Sequence, residues 1–411
     1  MSTTPEILTG PLRVNTTGSA AEPQAVVMGN GNLVVAYISE RIGQQTTDAF
    51  FARGQQFDFD GNRIGEEALF KFPEETDRES FDIIGLERNL IAILADQDLG
   101  GNRDGPFIGV FNISAGGRAS FVRGRSENVG GRAVKHFDFA LTKRGNNGWM
   151  THSIGRRGTV IFITHDTLRQ ASNAKDTEVV QGLGARGGSD DDLQSTALAN
   201  GNIVLLDDHD GDRNAEGRFE ARIVSLGGST IRSVFLGNGG FRNYAGTIQA
   251  LQGGGFVVAH NEAADRDKDV VFHLFEADGT VVKSFVNVTT TGAIGDNNNE
   301  PAIALLGDGG FIIFYDKDTG PVGVRGQCYD SKGIAAGDDF MVAKEDGTRI
   351  SAHLLDGSRM AVVYRRAGAD NIPLVSAKAE MPDTVTIATA TGGDDVLTGV
   401  GDEDVPDLEA T

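Results

Sequence analysis

Short, almost wholly apolar runs recur along the chain, each led in by a glycine turn. "MGNGNLVVAY" at 28–37, "LANGNIVLLD" at 198–207, "LQGGGFVVAH" at 251–260 and "LGDGGFIIFY" at 306–315 are versions of one phrase. Aligning each turn with the first apolar residue after it gives the anchors Leu33, Leu90, Trp149, Ile203, Phe256, Phe311 and Met360, spaced 57, 59, 54, 53, 55 and 49 residues apart. A period of this size marks a repeated structural unit. In the fifth unit "GTIQAL", "GFVVAH", "DVVFHLFEA" and "VVKSFVNVT" read as four strands, A to D. Asp-Gly turns between strand-like runs, as in "EADGT" and "FDFDGN", predict hairpins, so consecutive strands are antiparallel neighbours.

Strand B has little polar alternation: "LVVAY", "FVVAH" and "FIIFY" are apolar at nearly every position. Such strands are buried on both faces, as between packed sheets. A ring of four-stranded sheets meets that demand and leaves no large open edge. The expected fold is therefore all-β, a β-propeller of seven four-stranded blades. The last unit supplies only three strands before the composition changes near Pro382, while "GPLRVNTTG" resembles the strand D segment "KSFVNVTTTG". Residues 10–17 are thus expected to complete the last blade, dividing the chain into a propeller at 1–381 and an acidic tail at 382–411. The second unit lacks its A–B glycine ("GLERNL") and the third shortens its B–C loop ("SIGRRG"), so six or eight blades stay open.

Fifty-six glycines against ten prolines agree with many short strands and tight turns. A formal charge of −21 argues against nucleic acid and anionic membrane as partners and suits a soluble monomer that binds cations. The single Cys328 excludes an internal disulfide framework. The first residues carry no basic and apolar regions of a Sec-type signal, and no apolar run reaches the roughly 20 residues that span a bilayer.

Candidate chemistry gathers at the upper ends of the strands. The B–C loops are rich in acids, and "DHDGDRN" sets Asp208, Asp210, Asp212 and Asn214 at alternate positions. Oxygens so spaced on a turning backbone can surround Ca²⁺, which takes six to eight oxygen ligands; the competing reading is a solvated acidic loop. Alignment also puts Tyr37, Leu94, Ser153, Asp207, His260, Tyr315 and Tyr364 in one column. Tyr37, Tyr315 and Tyr364 are the ligand-binding candidates, and His260 with Asp207 is the alternative acid–base pair. The stronger reading of the same column is packing of the aromatics between blades, with the polar members capped locally. Nucleophile elbows, zincin helices and phosphate loops are all missing from the sequence, so nothing in it demands catalysis.

Beyond Pro382 the segment "TGGDDVLTGVGDEDV" resembles the Gly- and Asp-rich nonapeptide of RTX proteins, the hemolysin-type calcium-binding repeats. The resemblance implies Ca²⁺ as cofactor, with Asp395, Asp402 and Asp404 among the turn ligands. It covers only about one and a half repeats, too few to fold as a calcium roll alone. The blade phrase is also similar to repeats of large bacterial RTX-associated secreted proteins, which implies type I export and an extracellular location; without that resemblance the location would be cytoplasmic. The sequence thus points to a secreted, calcium-binding propeller acting as a non-enzymatic binding or adhesion module for a glycan or a protein. The alternatives are a propeller hydrolase or lyase using the central mouth, and a structural module of a larger assembly.

Overall fold

The computed structural model describes residues 5–16, 20–40, 50–58, 60–72, 76–98, 104–126, 139–144, 148–155, 159–165, 175–181, 193–209, 217–225, 229–239, 246–264, 267–288, 298–317, 322–355, 359–366 and 372–378. Residues 2–381 form one compact unit. The described residues hold 28 strands. After β1 (Glu6–Arg13) they come in consecutive groups. The first group is β2 (Ala20–Val27), β3 (Leu33–Glu40), β4 (Phe50–Phe57) and β5 (Arg63–Phe70). The second is β6 (Thr76–Gly85), β7 (Leu90–Asp98), β8 (Asp104–Ile113) and β9 (Ala119–Ser126), and the third β10 (Phe139–Arg144), β11 (Gly148–Gly155), β12 (Thr159–His165) and β13 (Lys175–Gln181). Then follow β14 (Leu193–Ala197), β15 (Ile203–His209), β16 (Gly217–Val224) and β17 (Thr230–Gly239), and β18 (Gly246–Ala250), β19 (Phe256–Ala264), β20 (Asp267–Phe275) and β21 (Val281–Asn287). The sixth group is β22 (Asn298–Leu305), β23 (Phe311–Lys317), β24 (Gly323–Tyr329) and β25 (Phe340–Ala343), and the last is β26 (Gly347–Leu354), β27 (Arg359–Arg366) and β28 (Pro373–Lys378).

Groups three to six are each a four-stranded antiparallel sheet in sequence order, while the first two are joined by the single pair Phe50–Thr76 into one eight-stranded sheet. The last sheet runs β26, β27, β28, β1: the N-terminal strand pairs antiparallel with β28, from Glu6 opposite Lys378 to Arg13 opposite Pro373. It therefore starts and ends four residues earlier than the segment 10–17 expected from sequence.

The recurring phrase is the hairpin between the first and second strands. In "MGNGN" the Met28 amide donates to the Asn32 carbonyl and the Gly31 amide to that of Met28, while Gly31 sits at φ 86°. Left-handed backbone of this kind is open to glycine without a Cβ penalty. The residue before the glycine closes the turn with its side chain: Asn30, Asn200 and Asp308 accept from the amides of Asn32, Asn202 and Gly310. The second group keeps the turn without a glycine by setting Arg88 at φ 57°. There the Leu86 amide donates to the Leu90 carbonyl, so Ile91, opposite Gly85, takes the place that Leu33 holds opposite Val27.

Second strands whose side chains are described are buried on both faces, β23 along its whole length. The apolar clusters draw on two consecutive groups, except one that joins the first group to the last. One joins Val26, Phe70 and Ile83 of the first two, another joins Leu206 and Ile223 to Val258 and Phe275, and another joins Phe314 and Phe340 to Val362 and Tyr364. Each fully buried side chain of this class stabilises by about 1.5–3 kcal/mol, so the sheets are held mainly through their faces. This packing sets the first strands side by side: β2 beside β6, β6 beside β10, β10 beside β14, β14 beside β18, β18 beside β22, β22 beside β26, and β26 beside β2.

Candidate functional site

Each first strand is hydrogen-bonded to its second strand along one edge only. The other edge carries amides and carbonyls that need partners. Side chains of the neighbouring first strand supply several. Ser351 Oγ of β26 accepts from the Ala25 amide of β2 (3.2 Å), Asp82 Oδ2 of β6 from the Leu141 amide of β10 (2.5 Å), and Thr196 Oγ1 of β14 from the Ala250 amide of β18 (3.1 Å). Gln24 Nε2 donates to the Phe81 carbonyl (2.6 Å), and Thr142 and Ser195 share a hydroxyl–hydroxyl bond. Polar residues thus recur on these otherwise apolar strands because they tie one strand to the next.

Residues from all seven first strands enclose a cavity of about 780 Å³. Among the described residues that line it, four are ionisable: Asp82, Lys143, Arg349 and His353. Asp82 is ringed by protein and only partly exposed. Burial pushes its carboxyl up to about 7, against the downward pull of bonds from the amides of Leu141 and Ile83. Burial likewise pushes His353 down to about 4, so its imidazole is neutral at physiological pH; its Nε2 lies 3.2 Å from Ser351 Oγ. Lys143 opens into the cavity, with burial holding its ammonium below the usual lysine range. Arg349 sits at φ 54° within a register shift between Thr348 and Ser351, an irregularity of the sort that re-aims a side chain.

The described sequence candidates lie elsewhere. Tyr37, Tyr315 and Tyr364 are fully or almost fully buried in the clusters between sheets, Tyr37 among Val14, Ala25, Val363 and Leu374. Each stands over an ion pair. Tyr315 donates to Asp339, itself bound by Arg325 at 2.6 Å, and Tyr364 donates to Glu345, which pairs with Arg366 at 3.1 Å. Tyr37 stands beside Glu67 and Arg53, paired at 3.0 Å. Burial raises all three phenols, so none ionises near neutral pH.

His260 lies on β19, with β18 between it and the cavity. Its Nε2 is 2.9 Å from His273 Nε2, its Nδ1 is 3.0 Å from the Asn261 carbonyl, and His273 Nδ1 is 3.2 Å from Ser284 Oγ. Burial pushes His260 down to about 4 and His273 to about 3, the latter also through the neighbouring His260. Asp207 and Asp208 occupy β15 opposite Glu220 and Phe219, but their side chains are outside the described set. Asp210, Asp212, Asn214, Asp395, Asp402 and Asp404 also lie outside the described residues. Among the described residues no group of three or more His, Cys, Asp or Glu is arranged to hold a metal ion.

No protein-family model and no curated protein matches the chain. Solved structures do. A protein of unknown function from Dyadobacter fermentans DSM 18053 aligns with TM-score 0.52 and 11% identity, over 92% of this chain and 99% of that one. A mutant puromycin hydrolase aligns with TM-score 0.50 and 14% identity, over 90% of this chain and 55% of that one. A mutant α-L-arabinofuranosidase from Fusarium graminearum, in complex with an iminosugar inhibitor, aligns with TM-score 0.50 and 11% identity, over 90% and 98%. These likenesses carry the fold alone. With the four-stranded antiparallel sheets they make this an all-β chain with β-propeller-like neighbours.

The cavity residues were hidden in the sequence. "FDIIG", "LTKR" and "ISAHLL" look like ordinary strands with one polar interruption. The available signal was that such interruptions recur just before the A–B turn in unit after unit.

Proposed function

We propose that the chain is a seven-bladed β-propeller, fastened by β1, that binds a small polar ligand in its central cavity and catalyses no reaction. The observation that carries this is the cavity wall, to which every first strand contributes. The seven-blade count is supported by the single pair joining the first two groups, and closure by β26 lying beside β2. A volume near 780 Å³ falls in the range of small-molecule pockets, roughly 300–1,000 Å³. The acid-rich loop at 208–214 and the RTX-like tail support a separate role for Ca²⁺, export from the cell, and a rim that meets a glycan or a protein. To test the cavity, a panel of small polar compounds is screened by thermal shift against the native chain and a Gln194→Trp variant that fills it. Hits that stabilise the native chain and not the variant are expected. Equal stabilisation of both would place the site elsewhere.

A second reading, a hydrolase, is favoured by Asp82, whose carboxyl holds a proton near neutral pH as a general acid must. Turnover of aryl glycosides or aminoacyl anilides that disappears in Asp82→Asn, with folding intact, would select it over the binding module.

A further inference from the structure

Lys143 brings a cation into the cavity wall, and no described residue bonds or pairs with it. Its ammonium is exposed, so an anion entering the cavity can reach it. Asp82 is the sole carboxylate among the described residues of the wall, and it is half-protonated near pH 7; His353 is neutral there. Arg349 adds a second cation. Among the described residues of the wall, two cations stand against one carboxylate, inside a chain of formal charge −21. Lys143 comes near the end of β10 and Arg349 near the start of β26. Since hydrogen bonds link matching positions of adjacent first strands, a cation stands toward each end of the cavity.

Between them lies a neutral belt. Gln24, Gln194, Thr247 and Ser351 stand three residues before the ends of β2, β14, β18 and β26, the position Asp82 holds in β6. Amides and hydroxyls of this kind both donate and accept, which suits a ligand covered in hydroxyl groups.

We infer that the cavity takes a small polyhydroxylated carboxylate, a sugar acid, whose carboxylate pairs with Lys143 and whose hydroxyls bond the Gln/Thr/Ser belt, with Arg349 drawing the anion in. This rests on the cavity being a binding site. Calorimetry on the full chain with D-glucuronate, D-glucose and inorganic phosphate tests it. Glucuronate is expected to bind at least tenfold tighter than either other probe. Lys143→Gln is expected to weaken it tenfold or more, Lys143→Arg to restore most of the affinity, and Lys332→Gln, on an exposed turn, to change nothing. Glucose binding as tightly as glucuronate, with Lys143→Gln silent, overturns the inference while leaving a cavity site in place. Phosphate matching glucuronate overturns the hydroxyl belt's part, and no heat from any probe overturns the whole. Undiminished glucuronate binding by Gln194→Trp would instead sink the cavity reading beneath it.

Discussion

Asp82 is an acid doing work that serine or threonine does elsewhere in the cavity wall, accepting an amide of the adjoining strand. Its cost is set by pH. The folded chain holds the Asp82 proton up to about 7 against an ordinary 3.8, so the folded state binds protons that the unfolded state has released. Stability from this group is then highest below about pH 4 and falls as pH rises to about 7, by at most on the order of 4 kcal/mol. Asp82→Asn should flatten that slope and unfold at higher urea than the native chain at pH 8, with the advantage gone at pH 4. The histidine pair runs the other way. His260 and His273 fall from 6.5 to about 4 and about 3, so the stability they give is present above pH 6.5 and is lost as pH falls through 4. Their imidazole resonances should stay neutral at pH 5, and His273→Phe should cost about 1–3 kcal/mol at pH 7, where it strands a buried nitrogen, yet soften the acid limb. The tyrosine column was legible as a register, with packing between sheets among its readings: spacing aligns Tyr37, Tyr315 and Tyr364, and the neighbouring sheet covers the rings.

At the scale of elements, the hairpin phrase was readable because its physics is local. A left-handed glycine, an Asx side chain and a closing amide all fall within five residues of one another, as in Met28 to Asn32. The N-terminal strand was also readable in outline, through its likeness to a fourth strand, whereas its register with β28 depends on residues more than 350 positions away. Its anchorage was invisible. Just past β1, the Thr16 amide and hydroxyl both donate to Glu67 Oε2 at 2.8 Å, and Glu67 Oε1 takes Arg53 at 3.0 Å. Backbone and side-chain bonds from Thr16, together with that from Arg53, keep the Glu67 carboxyl low against the upward pressure of burial. Glu67→Ala should lose roughly 2–4 kcal/mol, since it strands a partly buried guanidinium as well as two donors. Hydrogen exchange should then accelerate in β1 ahead of the other strands; uniform acceleration would show that Glu67 does not fasten that segment in particular.

For the whole molecule, the proposed ring and the proposed calcium dependence are separable. The acids of the loop at 208–214 and of the tail contribute much of the negative charge, and bound Ca²⁺ would relieve their repulsion while binding the folded state alone. Millimolar Ca²⁺ should raise Tm relative to EDTA by several degrees, and Asp208→Ala with Asp210→Ala should remove part of that rise. Identical melting in both would leave these acids as solvated charge. The chain by itself determined what short range can determine: turns, alternation, the strand period, and second strands too apolar to face water. Tertiary structure alone decided which polar residues meet. Asp82, Lys143 and Arg349 are separated along the chain by whole repeats, and each is unremarkable in its own strand. They share one cavity because the faces of successive sheets must bury each other, which brings the inner edges, and whatever those edges carry, around a common space.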